Sequence, residues 1–382
     1  MNFNLNAEQQ MLQDSVRRFA TKACGFEARS AQVKAGVSAS ARNWNAFADN
    51  GWLAAALPEA YGGYGGTLLD NVLIGQELGR ALVTDPFVGL AVLATQTLLA
   101  GATDAQKQAL LPRLADGTQR IALAWGEADA RGNPAQVQTR VRPHGGGYTL
   151  HGHKTLVLGA PVANSLLVSA CIDDVGTAPD RVALFLVDAG SAGLSQRALP
   201  LHDGSWAANV AFDGVYVGAD ARVGYEGECL SALRYGLAHA VAVQSAELVG
   251  AMEAAVEATS EYLKIRKQFG VHIGSFQALQ HRMADMAAEM ELARSMLFAL
   301  LASFECDDTH ELQRSVSACK AFVCRAAKNV CGQAIQLHGG IGVTEECAIG
   351  HYFKRAVVAD LVFGSSDQHE AACADALEGA LI

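Results

Sequence analysis

A fixed positive charge, an amide and a flat apolar ring stand close together at Arg266, Gln268 and Phe269, with Lys267 between them. A guanidinium can pair bidentately with a phosphate. An amide can bridge phosphate or ribose oxygens, and a ring can lie along an adenine or a flavin. Together they are what a bound dinucleotide would need. A second candidate is QLHGGIG, Gln336 to Gly342. Two adjacent glycines after a helix let backbone N–H groups approach a ligand and form an anion-binding concavity. Each feature also has a plainer reading: a solvated arginine at a helix break, a helix stop at Gly339–Gly340, a structural histidine at His338.

Long helices must position these residues. Ser231 to Lys267 contains no proline and, within it, only Gly236 and Gly250, which predicts a helix of about 55 Å. Gly270 and Gly274 interrupt it, and a second helix opens at Ser275. Ser275 to Glu305 has neither glycine nor proline, and Leu279, Met283, Met286, Met290 and Ala293 make an apolar stripe suited to a core. A third helix is expected over 312–336 and a fourth over 367–380, together a four-helix bundle. Residues 1–118 also read as helical: Met11, Leu12, Val16 and Phe19 form one stripe, Pro58 with Gly62–Gly63 and Gly65–Gly66 marks a loop, and Asp104 starts a helix with Pro112 near its end. Between 119 and 222, short apolar runs such as IALAW, SLLVSAC and NVAFDGVYVG alternate with turn signals at Gly145–Gly147, Asp173–Asp174 and Pro179–Asp180. That pattern predicts a β-sandwich or barrel.

The length of 382 residues suits two or three domains, and 51% hydrophobic residues can build a sizeable core. A net charge of -10 argues against nucleic acid and anionic membrane surfaces as partners. No run is long and apolar enough to span a bilayer, and MNFNLNAEQQ lacks a signal pattern. The nine cysteines include no CxxC pair, so reduced, mostly buried thiols, a cytoplasmic setting and no metal site are expected. Cys324 and Cys331 are placed to share one helix face.

The stretch Tyr262–Met286 resembles the signature of the acyl-CoA dehydrogenase family, in which tyrosine, arginine, a QFG triplet, then FQ, Q and ADM recur at these spacings. PEAYGG at Pro58–Gly63 and QELGR at Gln76–Arg80 resemble the family's first domain, and QLHGGIG its second cofactor motif. The order helical, β, helical bundle is that of its fold. The resemblance spans the chain and implies a mostly α protein with a central β domain: an N-terminal helical domain (1–118), a middle β-sandwich or barrel (119–222) and a C-terminal four-helix bundle (223–382). In that family both motifs hold the adenosine diphosphate part of an FAD bound mainly by a neighbouring subunit. The resemblance therefore implies that Arg266, Lys267, Gln268 and Phe269, with Gln336, Leu337, His338, Gly339 and Gly340, face that FAD.

The family removes two hydrogens from the α and β carbons of a CoA thioester. A carboxylate takes the α proton and must lie within hydrogen-bond reach of it. The position of the usual glutamate is Phe363 here, within LVFGSSDQ, and the alternative position on the long helix is Ala240, followed by Val241. Neither can accept a proton. Where family members show a TEP-like run followed by Gly-Ser-Asp, contacting the flavin, this chain has Trp125-Gly126-Glu127-Ala128 and no Gly-Ser-Asp after it. The strand that usually reads K-x-W-I-T is Lys154-Thr155-Leu156-Val157-Leu158.

Residues for the chain's own flavin ring and proton transfer are thus lost, while those for a neighbour's FAD are kept. Simple decay would erode both. The resemblance then implies the base-lacking subunit of a heteromeric acyl-CoA dehydrogenase, a heterotetramer with a homologous partner that carries the glutamate. Such pairs often act on bulky substrates such as steroid side chains or on dicarboxylyl-CoA such as pimeloyl-CoA; an electron-transfer flavoprotein is the expected electron acceptor, with oxygen as the alternative. FGSSDQH and HYFKR, His351 to Arg355, are similar to that small-subunit group. Two alternatives stay open: a self-sufficient homo-oligomeric dehydrogenase or oxidase with a relocated base, and a structural homologue binding no flavin. Glu247, two helical turns after Ala240 on nearly the same face, is the first candidate for such a base; with Ser245 it could instead be an interior polar contact. His239 and Asp367 are weaker candidates.

Overall fold

Asn6 opens the first helix with a reciprocal cap: its side chain accepts from the Gln9 N–H, and the Gln9 amide oxygen accepts from the Asn6 N–H. The structure, a computed structural model, describes residues 5–130, 132–172, 182–306 and 308–381. The turns expected at Asp173–Asp174 and Pro179–Asp180 lie outside the described residues. The helices are α1 (Ala7–Ala23), α2 (Phe26–Lys34), α3 (Ala41–Asp49), α4 (Leu68–Arg80), α5 (Thr95–Gly101) and α6 (Asp104–Ala115), then α7 (Cys229–Ile265), α8 (Gln277–Ser303), α9 (Thr309–His338), α10 (Ala348–Leu361) and α11 (Ser366–Leu381). The fold is the one expected, mostly α with a central sheet.

The chain divides into two compact units, residues 33–71 with 84–240, and residues 1–32 with 72–83 and 241–382. The first contains the sheet: β1 (Ile121–Ala124), β2 (Arg140–His144), β3 (Gly147–Leu158), β4 (Ser165–Ile172), β5 (Val182–Asp188), β6 (Leu194–Pro200), β7 (Trp206–Gly218) and β8 (Arg222–Val223). Its strands run in the order β6-β7-β3-β2-β4-β5-β8, with β1 paired parallel to β4. β2, β6 and β8 carry no apolar run and were not anticipated. β1 and β4 are buried along their whole length, which is why they read as continuous apolar runs.

Helix boundaries in the second unit shift slightly from those expected. The long helix is Cys229–Ile265 rather than 231–267, and the next begins at Gln277 rather than Ser275. Between them lies a two-stranded hairpin, β9 (Lys267–Gln268) and β10 (Val271–His272). α10 is a helix beyond the four that were counted. Its buried Ile349, Tyr352, Ala356 and Ala359 keep helical spacing. Side chains cap the end of α4 and the turn after it: from α10 the Tyr352 hydroxyl donates to the Arg80 carbonyl at 2.9 Å and Arg355 to the Val83 carbonyl at 2.6 Å, and from α2 Arg29 donates to the Leu82 carbonyl at 3.1 Å. Carbonyls at a helix C-terminus otherwise lack partners.

α4 lies against α7 through glycine. Gly75 faces Val243, Gly79 faces the Glu247 backbone, and Gly250 faces the Gln76 carbonyl. A methyl at residue 79 would overlap the Glu247 carbonyl. Gly79→Ala should therefore cost about 1–3 kcal/mol by overpacking, read as a lower urea midpoint; an unchanged midpoint would mean that the two helices part freely. Six of the nine cysteines are buried, Cys24, Cys171, Cys229, Cys319, Cys324 and Cys331, and all nine are free thiols.

Candidate functional site

The hairpin after α7 shows how the first motif is built. Val271 pairs with Gln268, leaving Phe269 and Gly270 as a two-residue loop. Both have positive φ, 53° and 81°. That is the type I′ geometry, which favours Asn-Gly. Phenylalanine there costs about 1–2 kcal/mol. Its ring is nevertheless 91% exposed, touching Phe276 edge-on at 6.2 Å. A strained, displayed aromatic ring serves no core. Arg266, Lys267 and Gln268 are exposed around it.

The second motif closes α9. Gln336, Gly339 and Gly340 are exposed, and a side chain on either glycine would meet nothing within 4 Å. Gly339 has φ 67°. Leu337 and His338, expected to face a ligand, are buried. Successive residues of a helix point about 100° apart, so a run of five cannot share one face. Within this unit the two motifs meet: the Tyr262 ring stacks on His338, centroids 4.4 Å apart and planes 21° off parallel. Burial holds the His338 imidazole below its ordinary pKa, partly offset by the Ala334 carbonyl that its Nδ1 meets at 2.8 Å.

The residues in base positions are inert. Ala240 is wholly buried. Phe363 is buried at φ 66°, and its carbonyl is held by His369 Nε2 at 3.0 Å. Glu247 is buried and lies 3.6 Å from the Arg355 guanidinium, the interior polar contact that was one of its two readings. Ser245 instead accepts from Cys319 at 3.7 Å. His239 is buried against Tyr235, and burial lowers its pKa to about 3. Asp367 is exposed and pairs with Arg325 at 2.9 Å.

In the sheet unit, Glu127 points inward. Its Oε1 accepts from Lys154 Nζ at 2.7 Å, from the Thr139 hydroxyl at 2.7 Å and from the Thr139 N–H at 3.1 Å, while Oε2 accepts from the Gln138 N–H at 2.6 Å. Lys154, fully buried, also donates to Ser169 at 3.0 Å and to the Trp125 carbonyl at 3.3 Å. Burial drives Lys154 down to about pKa 8 against the pull of Glu127. Burial also opposes the charge on Glu127, but Lys154 and the donors outweigh it and the carboxyl sits below its ordinary value. The sequence had left Glu127 without a role.

Exposed guanidinium, open backbone at Gly339–Gly340 and a displayed ring suit a phosphate-bearing aromatic ligand reaching these motifs from outside the chain. The positions for a flavin ring of the chain's own do not: Glu127 is consumed by Lys154, and Leu156 and Leu158 are apolar.

Family models described as acyl-CoA dehydrogenase N-terminal, middle and C-terminal domains match residues 6–118, 122–215 and 230–378. Probable acyl-CoA dehydrogenase YngJ of Bacillus subtilis is 30% identical over 96% of this chain and 97% of its own. A solved Tcur3481-Tcur3483 steroid ACAD variant is 30% identical with TM-score 0.87, over 98% of this chain and 99% of that one. The ChsE4-ChsE5 complex from Mycobacterium tuberculosis is 25% identical with TM-score 0.89, over 99% of each chain. Homologues are oxidoreductases acting on the CH–CH group of acyl-CoA, and family members bind FAD. The chain belongs to the acyl-CoA dehydrogenase family.

Proposed function

We propose that this chain is the base-lacking subunit of an FAD-dependent acyl-CoA dehydrogenase, completing the FAD site of a homologous partner that carries the glutamate, in a heterotetramer. The observation that carries this reading is the split between surfaces. Phe269 and Arg266 are displayed, Phe269 at a backbone cost, while the base positions Phe363 and Ala240 are apolar and buried. The two-component names of the Tcur3481-Tcur3483 and ChsE4-ChsE5 relatives support it. Segments 1–118, 119–222 and 223–382 serve as its domains, a division supported by the limits of the family models. A cytoplasmic setting is supported by nine free thiols. The acyl group is a fatty-acid or steroid side-chain thioester, and the electron acceptor an electron-transfer flavoprotein.

A bound FAD would supply the acceptor for the hydride that leaves the substrate β carbon. This chain's part is to hold it. Arg266 would pair with a phosphate, the Gly339–Gly340 backbone would offer N–H groups to the anion, and Phe269 would cover an aromatic ring. Gln268 and Gln336 bridge the polar edge. The α proton goes to the partner's carboxylate.

Flavin stoichiometry tests this. Purified alone, the chain should carry no flavin; co-purified with the homologous partner, one FAD per pair of chains. One FAD per chain in a homo-oligomer would overturn the reading and return Glu247 to consideration as a base. In the assembly, Arg266→Ala should weaken FAD retention about tenfold or more, since hydrogen bonds to charged groups are worth about 1.5–3 kcal/mol. Unchanged flavin content would remove that residue from the site.

A further inference from the structure

The hairpin holding Arg266 and Phe269 is joined to the rest of its unit at its base. The Arg266 N–H donates to the Tyr262 carbonyl at 2.9 Å, and the Ile273 N–H to the Arg266 carbonyl at 2.9 Å. Gly274 sits on the Leu263 backbone, where a methyl would come within 2.9 Å of the carbonyl. Among the described residues, no hydrogen bond, ion pair or ring contact from the side chains of 266–272 reaches beyond Phe276. The side chain that ties this end of α7 to α9 is Tyr262. Its ring lies on His338, and its hydroxyl donates to the His338 carbonyl at 3.3 Å.

His338 is fixed from the other side as well. Its Nδ1 donates to the Ala334 carbonyl one turn back, which leaves Nε2 as the acceptor nitrogen. The turn that follows folds back over it: a methyl on Gly342 would approach His338 Cβ at 3.0 Å and the Ile335 carbonyl at 2.8 Å. Gly339 departs from α9 directly after His338 at φ 67°. His338 therefore meets the hairpin's root through its ring, while the glycine turn begins at the next residue and comes back against its Cβ.

We propose that Tyr262 and His338 are positioning residues: their stack sets the separation between Arg266 and the Gly339–Gly340 turn, so that one ligand is gripped by both motifs at once. This rests on the shared-FAD-site reading. Neither side chain needs to touch the ligand. Pre-set geometry lets the second grip form without further ordering cost, as for two linked binding modules.

The test uses the flavin-bearing assembly of the full chain, stripped of FAD and titrated with FAD by flavin fluorescence. Tyr262→Leu, which loses stack and hydroxyl, should raise the FAD Kd about tenfold or more. Tyr262→Phe keeps the stack and should stay within about threefold of wild type. Arg266→Ala added to Tyr262→Leu should weaken binding less than it does in the wild type, because a misaligned arginine has less to lose. Should Tyr262→Leu fail to assemble, Tyr262→Met, which keeps bulk without a ring, carries the same expectation as Tyr262→Leu. If Arg266→Ala weakens FAD binding while Tyr262→Leu matches wild type, the positioning role is wrong and the FAD site stands. If both match wild type, the FAD reading itself falls, and this inference with it. Additive losses would reduce Tyr262 to an independent contact and overturn the proposal.

Discussion

Lys154→Ala should destabilise the sheet unit by about 3–5 kcal/mol, the cost of leaving one member of a buried ion pair uncompensated. The Glu127 carboxylate would keep the Thr139 and Gln138 donors but lose its only counter-charge among the described ion pairs. Ser169 and the Trp125 carbonyl would lose their donor as well. Urea unfolding at pH 7 measures this. Lys154→Met combined with Glu127→Gln should recover a good part of the loss, because no charge is then stranded. A single-variant loss under about 1 kcal/mol would mean that water reaches Glu127. The pair lies where relatives are expected to present polar groups to a flavin.

The other large effect is with acid. Buried His239 has its pKa lowered to about 3 from 6.5. Between those values the unfolded chain takes up a proton that the folded chain refuses. Stability therefore falls with falling pH from about 6.5, and the loss levels off near pH 3. At about 1.4 kcal/mol per pH unit, His239 accounts for about 2 kcal/mol between pH 6.5 and 5, and about 5 kcal/mol at the limit. Burial also lowers the pKa of His338, His351 and His369, so they add in the same direction. Comparing the wild type with His239→Leu by urea midpoint at pH 7 and pH 5 isolates the one residue. Equal acid sensitivity in both proteins would mean that His239 takes up its proton as readily in the fold as in the unfolded chain.

The large architecture was open to reading because helices broken by nothing but chosen glycines leave long stretches without glycine or proline. Ser275–Glu305 is such a stretch, and α8 fills it. The β9–β10 hairpin was not legible, since strands of two residues have no period. α10 carries a regular apolar stripe, but HYFKR was taken as a motif rather than as part of a helix. At the site, Arg266 and Gly339 are exposed, but the motif spacing gave no sign that Leu337 and His338 turn inward between exposed neighbours. Nor could it join Tyr262 to His338, a stack between residues of two different helices. Glu127 failed differently. Its partner Lys154 is on another strand, and two charged residues so far apart in sequence carry no signal of being a pair.

The distribution of thiols gives the molecule its own opening gauge. Cys306 is exposed and Cys347 and Cys373 are partly so, while the other six are enclosed. A thiol-reactive probe on the native chain will mark those three first, and each further adduct counts an opening event. Cys171 and Cys229 belong to the sheet-containing unit, and Cys24, Cys319, Cys324 and Cys331 to the other. Peptide mapping of the later adducts then tells which unit loosens first, with no label engineered into the chain.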